Sequence, residues 1–178
     1  ILGCDRGSSY GSRNLLEWLQ QKCLSHLLRN IKAVLPYLTA GDREHAEALQ
    51  RLLRQALELW RAYHRGKTEG YEEGKRQVLA RADLLLQPES HLNPYLDTLL
   101  NGIGREHDRG HVFRFLEHPE IEPTNNQAER DLRPAVIARK VSQCSRNWAG
   151  AEAHAAWSSL LATLERWGVG DPVAMLSQ

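Results

Sequence analysis

At 178 residues the chain can bury a core of its own, and 42% hydrophobic with 25% charged residues excludes a disordered or fibrous polymer. A formal net charge of +1 excludes a globally polycationic nucleic-acid binder, so any anion site must be a local patch. The three cysteines (Cys4, Cys23 and Cys144) are odd in number and form no CxxC pair, which argues against a disulfide framework or structural zinc and fits a reducing cytosol.

No apolar run approaches the roughly 18 residues of a membrane span, and no signal peptide is visible. The chain opens on "ILGCD" without a methionine and reads as a fragment. Ile1 to Cys4 form a short apolar run that reads as a buried strand, with Asp5 at its C-terminal end. "RGSSYGS" follows as a turn, Asn14 to Leu19 as a helix, and "QQKCL" as a second short strand.

From Ser25 onward, Leu27, Leu28, Ile31, Val34 and Leu35 recur at helical spacing until Pro36. The stretch from Thr39 to Gly66 is the clearest helix, with Leu49, Leu52, Leu53, Ala56, Leu57 and Trp60 on one face and Gly66 as its stop. Two more helices are predicted over 68–87 and 93–107. Residues 25 to 107 thus read as an antiparallel helical module whose periodicity speaks of packing alone. Pro119 and Pro123 break regular structure, and a last helix runs from about Gly150 to Trp167 with Trp157, Leu160, Leu161 and Leu164 on its apolar face.

Between these lies "TNNQAERDLRPAVIARK". Thr124 and Gln127 fit a capping box, so a helix should begin near Asn125. On it Asn125, Glu129 and Arg133 stack four residues apart, Asn126 and Arg130 form the adjacent line, and Ala128, Leu132 and Ala135 fall where they could pack inward. Pro134 should kink or end the helix. From Asn125 to Trp148, five basic residues face only Glu129 and Asp131. Two readings stay open. One is a solvated helix with intrahelical ion pairs worth a few tenths of a kcal/mol. The other is a carboxylate that holds a metal while Arg and Asn contact phosphates, which needs a partner acid from elsewhere. Asp5 is the obvious partner, although it could equally cap the turn that follows it.

Three segments resemble an insertion-sequence 66 family transposase. "CDRGSSY" resembles the family's segment around its second catalytic aspartate, and "QQKCLSHLLRNIKA" its Cys-x-x-His-x-x-Arg segment. "NNQAERDLRPAVIARK" resembles its Asn-Asn-x-x-Glu-Arg-x-x-Arg-Pro block. The order agrees, and the closing helix and the Asp-Pro segment are similar as well.

The resemblance implies a mainly α fragment: a truncated RNase H-like α/β catalytic core with a long helical insertion. Residues 1–24 would be the core remnant with the second catalytic Asp, 25–118 the insertion, and 119–178 the C-terminal helices with the catalytic Glu. It implies an Asp-Asp-Glu polynucleotidyl transferase that performs metal-dependent DNA cleavage and strand transfer in DNA transposition. Asp5 and Glu129 would be catalytic and hold Mg²⁺ (or Mn²⁺). Asn125, Asn126, Arg130, Arg133, Arg139 and Lys140 would line the DNA, and His26 and Arg29 fall on the second block.

Transposon ends and target DNA would be the partners. The active complex would be a homo-oligomer, with no membrane, in the bacterial cytoplasm at the nucleoid. The chain departs from the pattern in starting after the first catalytic aspartate and its strands, so the fragment alone is expected to be inactive. Competing readings are a non-catalytic helical module for DNA or protein, a degenerate mobile-element remnant, and a metal-binding bundle built on His107 and His111.

Overall fold

The computed structural model describes residues 2–4, 18–87, 93–141 and 147–168. The chain is mainly helical and divides into two compact units, Ile1–Asn125 and Asn126–Gln178.

In the first unit the apolar opening forms β1 (Leu2–Cys4), and the second expected strand forms β2 (Gln20–Lys22). They pair in parallel, Leu2 opposite Gln20 and Cys4 opposite Lys22. Trp18 and Leu19 are not helical, and residues 14–17 of the expected early helix lie outside the described residues. Every residue of β2 is buried although all three are polar, so the strand depends on side-chain partners rather than apolar burial. Gln21 supplies several of these bonds. Its Nε2 donates to the Val112 carbonyl at 2.9 Å, and its Oε1 accepts from the Phe115 amide at 3.0 Å. On the backbone, the Lys22 amide donates to the His111 carbonyl at 2.7 Å.

Four helices follow: α1 (Leu24–Val34), α2 (Ala40–His64), α3 (Tyr71–Leu85) and α4 (Pro94–Asp108). Gly66 is the stop that the sequence suggested, and α4 has a side-chain cap of its own. The α2 helix ends at Arg65 with Gly66 at φ +83°, a conformation that side chains with a Cβ disfavour. The start of α4 is set by Asn93, whose side chain accepts from the Tyr95 amide, with Pro94 in the first turn where a missing N–H does no harm.

The apolar face read from Leu49 to Leu57 is buried, and Leu53 meets a core that includes Leu27, Ile31, Val78 and Ile103. The short α5 (Arg114–Glu117) adds Phe115 and Leu116. Residues 119–123 are tied to the bundle by Trp60 Nε1–H and His64 Nε2–H, which both donate to the Pro119 carbonyl at 2.7 Å.

The second unit holds α6 (Asn126–Val141) and α7 (Trp148–Arg166). Asn147 caps α7, accepting from the Gly150 amide at 2.8 Å. Pro134 does not end α6, which continues for about two turns beyond it. Proline removes one backbone hydrogen bond, and the flanking turns supply the rest.

Burial here differs from the sequence expectation. Leu132 is 62% exposed, Ala128 is exposed, and on α7 Trp157 and Leu160 are exposed while Leu164 is buried. Two helices cannot enclose apolar stripes of this width, so helical periodicity shows here without burial. The Gln127 side-chain amide donates to Asp131 at 2.9 Å and accepts from Arg130 at 2.8 Å, both forward along the helix.

Candidate functional site on α6 and the polar strand

The expected helix of the Asn-Asn-Glu-Arg block forms, and it presents its polar residues together. Asn126, Glu129, Arg130 and Arg133, with Val136, line one open concavity of about 390 Å³. The spacing of three and four residues stacks these side chains on adjoining turns, so the helix alone juxtaposes them. Its N-terminal turns also favour an anion through the unsatisfied backbone N–H groups. Both arginines and Glu129 are exposed to solvent.

The two acids of this helix are placed differently. Asp131 pairs with Arg166 of α7 and accepts from Gln127. The Arg166 hydrogen bond, followed by its charge and the Gln127 and Arg130 contacts, holds the Asp131 carboxyl below the usual range. Arg166 is raised in turn by the same partner. Asp131 thus belongs to the tie between α6 and α7, and Glu129 is the acid that lines the concavity.

The other site residues separate as follows. Asn125 belongs to the first unit, where its amide donates to Cys23 Sγ at 3.4 Å and its Oδ1 is buried. Lys140 is exposed near the end of α6. Arg139 lies within α6, but its side chain is outside the described residues. Asp5, Cys144 and the Asp-Pro segment also lie outside the described residues. On α1, His26 is half-buried and Arg29 exposed.

A second polar constellation escaped the sequence reading. Lys22 is 4% exposed, and its Nζ donates to Gln20 Oε1 at 2.8 Å and to Cys4 Sγ at 3.5 Å. Glu106 of α4 stands 3.7 Å from the same ammonium and accepts from His111 Nδ1–H at 2.9 Å. The available signal was a lysine and two glutamines in a stretch read as a strand, a composition that requires buried partners.

The histidine pair considered as a metal motif is taken apart by the same geometry. The α4 helix ends at Asp108 and Gly110 turns the chain at φ +69°, so His107 and His111 share no helical face. His107 donates to Asp83 at 2.8 Å instead. Among the described residues, no three His, Cys, Asp or Glu side chains converge as a metal cluster. Nor is any described helix long and apolar enough to cross a membrane.

Comparison with known proteins agrees with the block on α6. The family model described as transposase IS66 family matches residues 1–153. No curated protein and no solved structure matches the chain. That match takes in the strand pair, the helical bundle and all of α6, and on it the chain belongs to the IS66 family of transposases.

Proposed function

We propose that this chain is the C-terminal part of an Asp-Asp-Glu transposase catalytic region, in which Glu129 is the last acid and Asp5 the second. The observation that carries the reading is the concavity on α6, where one carboxylate stands with two guanidinium groups and an amide. Phosphoryl transfer on DNA needs this combination, since carboxylates bind a hard divalent ion and arginines hold phosphate oxygens. The parallel pair β1–β2 is consistent with a remnant of an RNase H-like core over residues 1–24. Residues 25–118 would be its helical insertion, and 119–178 its closing helices.

Carboxylate oxygens are the donors that Mg²⁺ or Mn²⁺ prefers, and Asp5 and Glu129 would hold the ion. When bound, it supplies charge neutralisation and an activated oxygen at the phosphorus. Arg130 and Arg133 would bind phosphate oxygens bidentately, while Asn125, Asn126, Arg139 and Lys140 would fix the backbone of the transposon end or target. Two acids make an incomplete set for a two-metal displacement, so the isolated chain would bind without joining DNA. The active complex would be a homo-oligomer.

Calorimetric titration of the chain with Mn²⁺ tests this reading. Weakened binding in both Asp5→Asn and Glu129→Gln is expected, and a Glu129→Gln chain that binds Mn²⁺ like wild type would remove the shared site. Binding to a short duplex should fall steeply with salt, and Arg130→Ala with Arg133→Ala should flatten that slope. Strand transfer by the isolated chain, abolished by Glu129→Gln, would overturn its inactivity.

A further inference from the structure

We propose that the Lys22–Glu106 pair is a positioning clamp by which α4 of the helical insertion fixes the register of the strand pair and so the end of β1. The inference rests on the reading of Asp5 as a metal carboxylate, because Asp5 follows Cys4 directly in the chain.

Strands of three residues hold register poorly by backbone pairing alone. Side chains alternate between faces, so a slip of one residue in β2 would turn Gln21 toward α4 and expel Lys22 to the other side. An apolar side chain at position 22 would bury well in either of several registers, whereas an ammonium tolerates only the one with acceptors. Here Lys22 Nζ reaches Gln20 Oε1 at 2.8 Å, Cys4 Sγ at 3.5 Å and Glu106 Oε2 at 3.7 Å.

Glu106 is itself braced. His111 Nδ1–H donates to it at 2.9 Å, Arg109 Nη1 lies 3.5 Å from its other oxygen, and the His111 amide donates to its carbonyl at 2.8 Å. From β2, the Lys22 amide reaches the His111 carbonyl at 2.7 Å, and the Cys23 amide reaches the Cys4 carbonyl at 2.8 Å. A continuous path of bonds therefore runs from α4 through β2 to the last described residue of β1. Replacing a buried pair by neutral groups is tolerated far better than breaking it, so its value lies in selecting one arrangement.

The test uses the full chain with Lys22→Met, Glu106→Gln and the double variant, each checked for wild-type helix content by circular dichroism. Should a single change prevent folding, the double variant, which removes both charges of the pair together, carries both measurements. The first is alkylation of the buried Cys4 thiol, with buried Cys23 as internal reference and peptide mapping to separate them. Losing the clamp is expected to raise Cys4 labelling at least about tenfold relative to Cys23, although loss of a neighbouring cation by itself slows thiol chemistry.

The second measurement is Mn²⁺ affinity. Mispositioning weakens it in both single variants, by roughly tenfold or more. A purely electrostatic influence would move them oppositely, tighter in Lys22→Met and weaker in Glu106→Gln. Opposite shifts, or wild-type affinity in a folded double variant, would overturn the proposal. A wild-type chain that takes up no Mn²⁺ would refute the metal reading, and the clamp would then stand or fall on Cys4 labelling, with unchanged labelling overturning it.

Discussion

Asp131 and Arg166, 35 residues apart in sequence, form the ion pair that joins α6 to α7. With this pair made, one acid of α6 braces the helix and the other, Glu129, lines the concavity. The division of labour gives a pH signature. Arg166 depresses the Asp131 carboxyl, so its stabilisation is present above the unfolded pKa and is lost as pH falls through the folded one. That window lies below about pH 4. Hydrogen exchange of α7 amides should quicken there in wild type and not further in Asp131→Asn. The effect should be small and weakened by salt, because both groups face solvent.

Gln21 should matter more than a strand glutamine ordinarily does. Its side chain is 1% exposed and satisfies the Phe115 amide and the Val112 carbonyl. Gln21→Leu strands both backbone groups in a dry environment and is expected to cost on the order of 3 kcal/mol. Urea denaturation measures it, and a loss below about 1 kcal/mol would show that water replaces the amide.

Tyr71 ties α3 to α5 by donating its hydroxyl to the Leu116 carbonyl at 3.0 Å. Burial, then the Glu72 charge, pushes its phenol up to about 12. A raised pKa means that its stabilisation is whole below the unfolded value near pH 10 and is lost as pH rises through the folded value. Ultraviolet titration of tyrosinate should therefore show one late group, absent in Tyr71→Phe. The same substitution should lower stability at pH 7 by about 1 kcal/mol.

Leu53 lies at the centre of the α2 face with no exposure. Leu53→Ala is expected to cost about 2 to 5 kcal/mol, the loss of transfer energy plus an incompletely collapsed cavity. Leu132→Ala, on the exposed side of α6, should change stability by less than about 0.5 kcal/mol in this chain. Comparable losses at the two positions would mean that Leu132 is covered in solution.

The sequence by itself determined most of the helical fold. Apolar residues at helical spacing from Leu49 to Leu57 require a helix with one buried face, and Gly66, Asn93 and Pro94 mark ends through local backbone chemistry. It also determined the α6 constellation, because residues three and four apart on one helix meet whatever surrounds them. Only the tertiary structure decided the rest, since periodicity names a face without naming its partner. It showed that the Leu132 stripe stays exposed, that Gln127 and Asp131 bind forward and across to Arg130 and Arg166, and that Pro134 is carried within the helix. Above all it brought Lys22 of β2 to Glu106 of α4, residues whose spacing in the chain predicts no contact. Such a pair forms because a buried ammonium must find an acceptor, and which acceptor it finds depends on how the helices pack.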